Sequence, residues 1–300
     1  MDEAVRKAAK YLPQPFLQAT ERLNDRQSRC VQEIRLRAEA ALTLSTDDGE
    51  RFLLSDGSLS VLKTPRCLSV SREHVEECVK KLCGYALHTH QDELRQGCIT
   101  AEGCRAGLSG TVVLNEAGET VSMRDLTSVC LRVAREHHGC ADGILRRFTA
   151  RSDGGLLVFG VPSSGKTSLL RDVAQGLSEG RFGRRCRVSV VDERGELALG
   201  TSLCSCDVIR GCRKKEGIER AVRCLAPEYL VFDEWTSAEE AETIERAFTS
   251  GVQLITSVHA PSYKALKERR DLAKMIEMKR FSVIAGVSPD HRVTIVEENG

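Results

Sequence analysis

Gly155-Leu-Leu-Val-Phe-Gly160-Val-Pro-Ser-Ser-Gly165-Lys-Thr-Ser-Leu-Leu170 is the stretch whose reading decides the fold. Leu156 to Phe159 form a short continuous apolar run, as in a strand buried on both faces. Gly160 to Thr167 then fit G-x-x-x-x-G-K-[ST] without a mismatch. Leu169, Leu170, Val173, Ala174 and Leu177 follow at helical spacing, so strand, loop and helix come in the order a phosphate-binding loop requires.

Gly160 and Gly165 lack a β-carbon, so the backbone is free to curl around a phosphate and aim N–H groups at it, at the positive end of the next helix. Lys166 adds a mobile cation for the outer phosphates, and the Thr167 hydroxyl suits Mg²⁺, which prefers oxygen ligands. The expected nucleotide-binding set is Gly160, Val161, Pro162, Ser163, Ser164, Gly165, Lys166, Thr167 and Ser168.

At 300 residues and 41% hydrophobic content, the chain is long enough for one large or two ordinary packed domains. Lys and Arg number 44 against 43 Asp and Glu, so bulk charge predicts no nucleic-acid partner. Basic clusters at Arg181 to Arg187 and Arg210 to Lys215 read as solvated loops or as phosphate or subunit contacts. No apolar run approaches the ~18 residues of a membrane span, and the N-terminus lacks a signal layout, so a cytoplasmic protein, at most peripheral to a membrane, is expected. Thirteen cysteines in such a chain read mostly as small buried hydrophobes and not as disulfides or a zinc cluster.

The predicted fold class is α/β, with residues 1–150 forming a smaller α+β domain and residues 151–300 a parallel-sheet nucleotide-binding domain. In the first half, short helices should lie either side of Pro13 and Pro15. Strands around Ile34, Leu42 and Leu53 make a small hairpin sheet, Ser71 caps a helix over 72–83, and a short helix covers 88–95. A glycine-rich hairpin and a last strand at Val129 to Val133 precede a linking helix over 143–148, with the boundary near 149–154. In the second half, strands are expected to end at Asp192, at Asp233-Glu234 and at His259. Ser237 caps a helix over 238–250, and strands over 282–287 and 293–296 close the sheet antiparallel.

Ligands of open parallel sheets bind beyond the carboxyl ends of the strands, so the Gly160 loop, Asp192, Asp233-Glu234 and His259 should converge on one nucleotide. Leu230 to Glu234 has the form of a Walker B element, with Asp233 an expected Mg²⁺ ligand beside Thr167. Asp192 or Glu193 is expected to orient or deprotonate the attacking water.

Together, GVPSSGKTSLLRDVA, VVDERGE, YLVFDEW and QLITSVHA resemble the Walker A, Asp box, Walker B and His box of the secretion and retraction ATPases of type II, type IV pilus and type IV systems. EIRLR at Glu33, ITAEGCRAGLSG at Ile99 and LTSVCLRVARE at Leu126 are similar to the stage III sporulation AA family within that group, cytosolic ATPases of endospore-forming bacteria. The resemblance implies a RecA-like ATPase domain behind a smaller N-terminal domain, assembling as a hexameric ring that works with membrane components of a sporulation channel. It implies ATP and Mg²⁺ as ligands, with Lys166, Glu234 and His259 in catalytic roles alongside Asp192 or Glu193. It also implies that arginines of the first domain, among Arg35, Arg37, Arg132 and Arg135, are delivered to bound phosphate. Two departures stand out: the Asp box reads Asp192-Glu193 where the wider group has Glu-Asp, and Trp235-Thr236 follows Glu234 where pilus motors have Arg-Asp. An ATP-binding scaffold with little turnover and a nucleic-acid motor are the alternatives, the latter disfavoured by charge and by 4% aromatic content.

Overall fold

In the computed structural model of the chain, Gly155–Gly160 is a strand with every residue buried and a hydrogen-bonded neighbour on each side, as an apolar run without alternation requires. The structure describes residues 1–135, 137–151, 154–198, 203–235 and 238–298. The chain divides into two compact units, Met1–Glu136 and His137–Gly300.

The first unit is framed by a seven-stranded antiparallel sheet in the order Leu59–Ser60, Gly49–Leu53, Thr43–Thr46, Val31–Arg37, Thr120–Val133, Cys104–Leu114, Cys98–Ala101. Side chains alternate across a strand, so Ile34 and Leu36 enter the core while Glu33, Arg35 and Arg37 share the opposite face. The helix Arg72–Leu82 packs its buried Val75, Cys78, Val79 and Leu82 into that core. Its start is fixed by a capping box in which Ser71 and His74 satisfy each other's backbone N–H groups. The helices Glu3–Ala9 and Phe16–Glu21 lie either side of the prolines. The expected small hairpin sheet is one flank of a larger one, because Val31–Arg37 also pairs with the distant Thr120–Val133. The helix expected over 88–95 is a 3₁₀ turn, Leu87–His90, followed by the helix Gln91–Gln96.

The second unit holds another seven-stranded sheet, ordered Cys206–Arg210, Val188–Asp192, Tyr229–Phe232, Gln253–His259, Gly155–Gly160, Phe281–Val287, Val293–Glu298. Alternate residues of the loop strand feed two cores. Leu156 and Val158 meet Leu170, Val173 and Leu177 of the helix Lys166–Glu179, while Leu157 and Phe159 meet Ile218, Ile244, Leu272 and Met275 on the other face.

Several expectations are corrected here. Cys206–Arg210 is a strand that sequence did not predict. Phe281–Val287 runs parallel to the loop strand, and only Val293–Glu298 is antiparallel. The helix Asp142–Thr149, expected as a link, buries Ile144, Leu145 and Phe148 in the second unit's core, so the division falls ahead of it. The cysteines are all free, but only Cys78, Cys83 and Cys104 are buried, and Cys140, Cys204 and Cys224 are exposed. The expected cap Ser237 and part of the expected boundary segment lie outside the described residues. The basic clusters are largely tied down within the unit: Arg181 lies 2.8 Å from the buried Asp172, Arg184 pairs with Glu228, and Lys214 with Glu240. Among the described residues, no helix is long and apolar enough to cross a membrane.

Candidate nucleotide site

Parallel register brings the expected strand tips together: Gly160 is level with His259, and Phe232, just before Asp233, is level with both Thr256 and Val191. Between these tips lies a cavity of about 410 Å³, within the size range of small-molecule sites. Pro162, Ser163, Gly165, Lys166, Thr167 and Ser168 line one side, and Arg194, Glu196, Asp233, Glu234, Ser257 and His259 the other.

The loop's glycines have distinct reasons. A β-carbon on Gly160 would stand 2.5 Å from the Val287 carbonyl oxygen and 2.7 Å from Ser164 Oγ, while Gly165 adopts φ +96° as it turns the chain into the helix. Lys166 is buried, and its Nζ donates to the carbonyls of Gly160 at 3.0 Å and Val161 at 2.8 Å and to His259 Nδ1 at 3.1 Å. Burial lowers the Lys166 ammonium below its ordinary value, against the opposing pull of Asp233 and Glu234. Ser164 is not among the residues that line the cavity. Its carbonyl accepts from His291 Nδ1 at 3.0 Å, and its hydroxyl is buried without a hydrogen-bond partner among the described residues.

Asp233 is held through both oxygens, by the hydroxyl of Thr167 on one and of Ser257 on the other. Carboxylate and hydroxyl oxygens gathered beside a phosphate loop fit Mg²⁺, with Thr167 and Asp233 as its candidate holders. Glu234 follows at φ +57°, with its N–H donating to Ser257 Oγ at 3.2 Å. Its carboxylate lies 2.5 Å from Arg194 and 3.1 Å from His259 Nε2.

The Asp192-Glu193 pair separates in role. Asp192 is 3% exposed, and its two oxygens accept the N–H groups of Glu196 and Ala198, each at 2.9 Å, so it shapes the loop that follows. Glu193 is exposed and lines, with Asp192, Glu196, Lys214, Asp233 and Glu234, a second cavity of about 30 Å³, room for a water molecule. The places of Arg194, Glu196, Ser257 and Lys214 around these cavities escaped the sequence reading. The first two lie in the quoted VVDERGE motif and Lys214 in the basic cluster Arg210 to Lys215, whereas nothing local marks Ser257.

The four first-unit arginines singled out from the sequence each have a partner inside that unit. Arg35 and Arg132 reach Glu33 at 2.5 and 3.4 Å, Arg37 reaches Glu50 at 3.0 Å, and Arg135 bonds the Ser28 carbonyl at 3.0 Å and lies 3.6 Å from Asp2. Burial would raise the Glu33 carboxyl, but Arg35 and Arg132 more than offset it and hold it below its usual range.

A family model described as "Sporulation stage III, protein AA" matches residues 17–295. The chain is 28% identical over 285 residues to "Stage III sporulation protein AA" of Bacillus subtilis (strain 168), covering 91% of this chain and 87% of that one. Among solved structures, it is similar to the Legionella pneumophila ATPase DotB, with a TM-score of 0.57 and 16% identity over 90% of this chain and 76% of that chain. It is also similar to the pilus retraction motor PilT, solved with bound ADP, with a TM-score of 0.58 and 14% identity over 85% of this chain and 74% of that chain. At such identities the structural likeness establishes a shared mixed α/β fold.

Proposed function

Because the chain belongs to the sporulation stage III, protein AA family, we propose that it is a Mg²⁺-dependent ATPase of the secretion-ATPase type, working in endospore formation. The observation that carries this reading is the gathering of Lys166, Thr167, Asp233, Glu234 and His259 around one cavity at the tips of adjacent parallel strands.

In this reading the second unit is a RecA-like motor domain. Lys166 leaves the Gly160 and Val161 carbonyls for the outer phosphates of ATP. Thr167 and Asp233 would hold Mg²⁺, which when bound would supply positive charge to the phosphates. Glu234 and the exposed Glu193 border the water-sized cavity, and one of them accepts the proton of the attacking water. Asp192 acts through the loop it shapes. Arg132 and Arg135, with Arg35 and Arg37, are proposed phosphate partners on the strength of the family's motifs. Each would exchange a carboxylate of its own unit for phosphate, so ligand binding and unit rearrangement would be coupled.

By the same likeness, the protein assembles as a homo-oligomeric ring, six copies being the expected number. It would act in the cytoplasm at the mother-cell face of the outer forespore membrane, driving or gating a channel. Release of inorganic phosphate from Mg-ATP by the purified full-length protein tests the activity. The parent should turn over and Lys166→Ala should not; equal, background-level release by both would overturn the reading.

A further inference from the structure

Lys214 opens the helix Lys214–Leu225 and is only 6% exposed. An ammonium in such a place needs acceptors, because burying a charge without partners is prohibitive. It has the main-chain carbonyl of Glu234 and, at 3.1 Å, the carboxylate of Glu240 in the helix Ala238–Thr249.

The residue it grips is one of the few non-glycine residues with a left-handed backbone. Glu234 sits at φ +57°, a left-handed conformation that a β-carbon disfavours and that persists only where the surroundings impose it. Ser257 fixes its N–H and Lys214 its carbonyl, so the peptide groups on both sides are tied. With the backbone so held, the carboxylate is aimed toward His259 and Arg194 in the phosphate cavity. Lys214 also borders the small cavity together with Glu193, Asp233 and Glu234, although its charge is already matched by Glu240.

We propose that Lys214 is a positioning residue for hydrolysis: by bridging the Glu234 carbonyl and the Glu240 carboxylate, it locks the acidic strand tip in the orientation the reaction needs and ties it to the next helix. This rests on the ATPase reading above. Lys166 serves the phosphates directly, whereas Lys214 acts through Glu234.

The test compares full-length parent, Lys214→Met, Glu240→Gln, Glu234→Gln and the Lys214→Met/Glu234→Gln double variant. Phosphate release is measured at saturating Mg-ATP, and Kd is measured for the non-hydrolysable analogue adenylyl imidodiphosphate. Lys214→Met should lower kcat by roughly 10- to 100-fold, the scale of a misplaced reacting group, with Kd unchanged. Glu240→Gln should move kcat the same way by less. In the Glu234→Gln background, removing Lys214 should cost nothing more, because the residue it orients is already disabled. Unchanged kcat, a Kd that weakens in step with kcat, or a full further loss in the double variant would overturn the proposal. If Lys214→Met lacks a cooperative thermal transition, Glu240→Gln carries the test by the same readings. Parent turnover reports on the ATPase reading and the ratio of variant to parent reports on Lys214, so the two fail separately.

Discussion

Nζ of Lys166 donates to Nδ1 of His259 at 3.1 Å, and the other nitrogen of that ring lies 3.1 Å from Oε1 of Glu234. An ammonium has protons and no acceptor, so Nδ1 must accept and the ring proton must sit on Nε2, facing the carboxylate. The histidine therefore stands between the buried ammonium of the glycine-rich loop and an acid that lines the same cavity. On the ATPase reading, a triphosphate that drew Lys166 away would free one side of the ring, and Glu234 would feel it.

Removing this go-between should leave binding and impair turnover. For His259→Ala, the affinity for Mg-ATP by calorimetry should not weaken, since Lys166 loses a competitor, while kcat should fall by about 10- to 100-fold, at or below the low end of acid–base effects. A matched loss of affinity would show that the histidine serves the nucleotide directly.

Lys166→Ala should impair binding and turnover together. A charge-assisted hydrogen bond contributes about 1.5–3 kcal/mol, so the affinity for Mg-ATP should drop by roughly one to two orders of magnitude. Turnover should be undetectable, and the melting temperature little changed.

The two neighbouring acids should separate cleanly. Glu193 is exposed at the cavity rim, so Glu193→Gln should keep the melting temperature and, if Glu193 accepts the water's proton, lower kcat by about 10²–10⁴. Asp192 holds two backbone N–H groups from inside the fold. Asp192→Asn leaves one of them without its acceptor and should cost about 1–3 kcal/mol in stability, read by denaturant unfolding.

An alkaline limb set by Lys166 is expected in the pH profile. Its ammonium sits below the ordinary value of 10.5, chiefly through burial, so the charged form is lost as pH climbs through that lowered value. Accordingly, kcat/KM for Mg-ATP should fall before pH 10.5 is reached, and Lys166→Arg should flatten that limb. Stability has the opposite sign. Between the lowered value and 10.5 the unfolded chain binds more protons than the folded one, so this residue's contribution rises with pH there.

Two glycines give a steric contrast. Gly160→Ala places a carbon 2.5 Å from the Val287 carbonyl oxygen. It should cost about 1–3 kcal/mol as an overpacked site does, with weakened nucleotide binding. Gly143, inside the helix Asp142–Thr149, has nothing within 4 Å of such a carbon. Gly143→Ala should therefore be neutral or stabilising by about 0.4–1 kcal/mol, as thermal unfolding would show.

The second unit was largely legible because its signals are local. A buried strand shows as an apolar run, and its functional tip as the first polar residues after it, so Asp192, Asp233 and His259 could be placed from order alone. Cys206–Arg210 was missed because this edge strand is half exposed and offers no such run. Ser257 and Lys214 were missed because their use depends on partners 24 and 20 residues away that only the assembled sheet brings near. In the first unit, each strand was visible locally but its neighbours were not: Glu33 meets Arg132 through a pairing that spans most of that unit.

The left-handed backbone at Glu234 has a practical corollary for anyone improving this protein. A screen that ranks variants by heat resistance will tend to favour glycine or asparagine at this position, since either relaxes the main chain, and will thereby discard the acid. Survivors of such a screen would be sturdier and idle, which makes position 234 a place where durability and work are bought from the same purse.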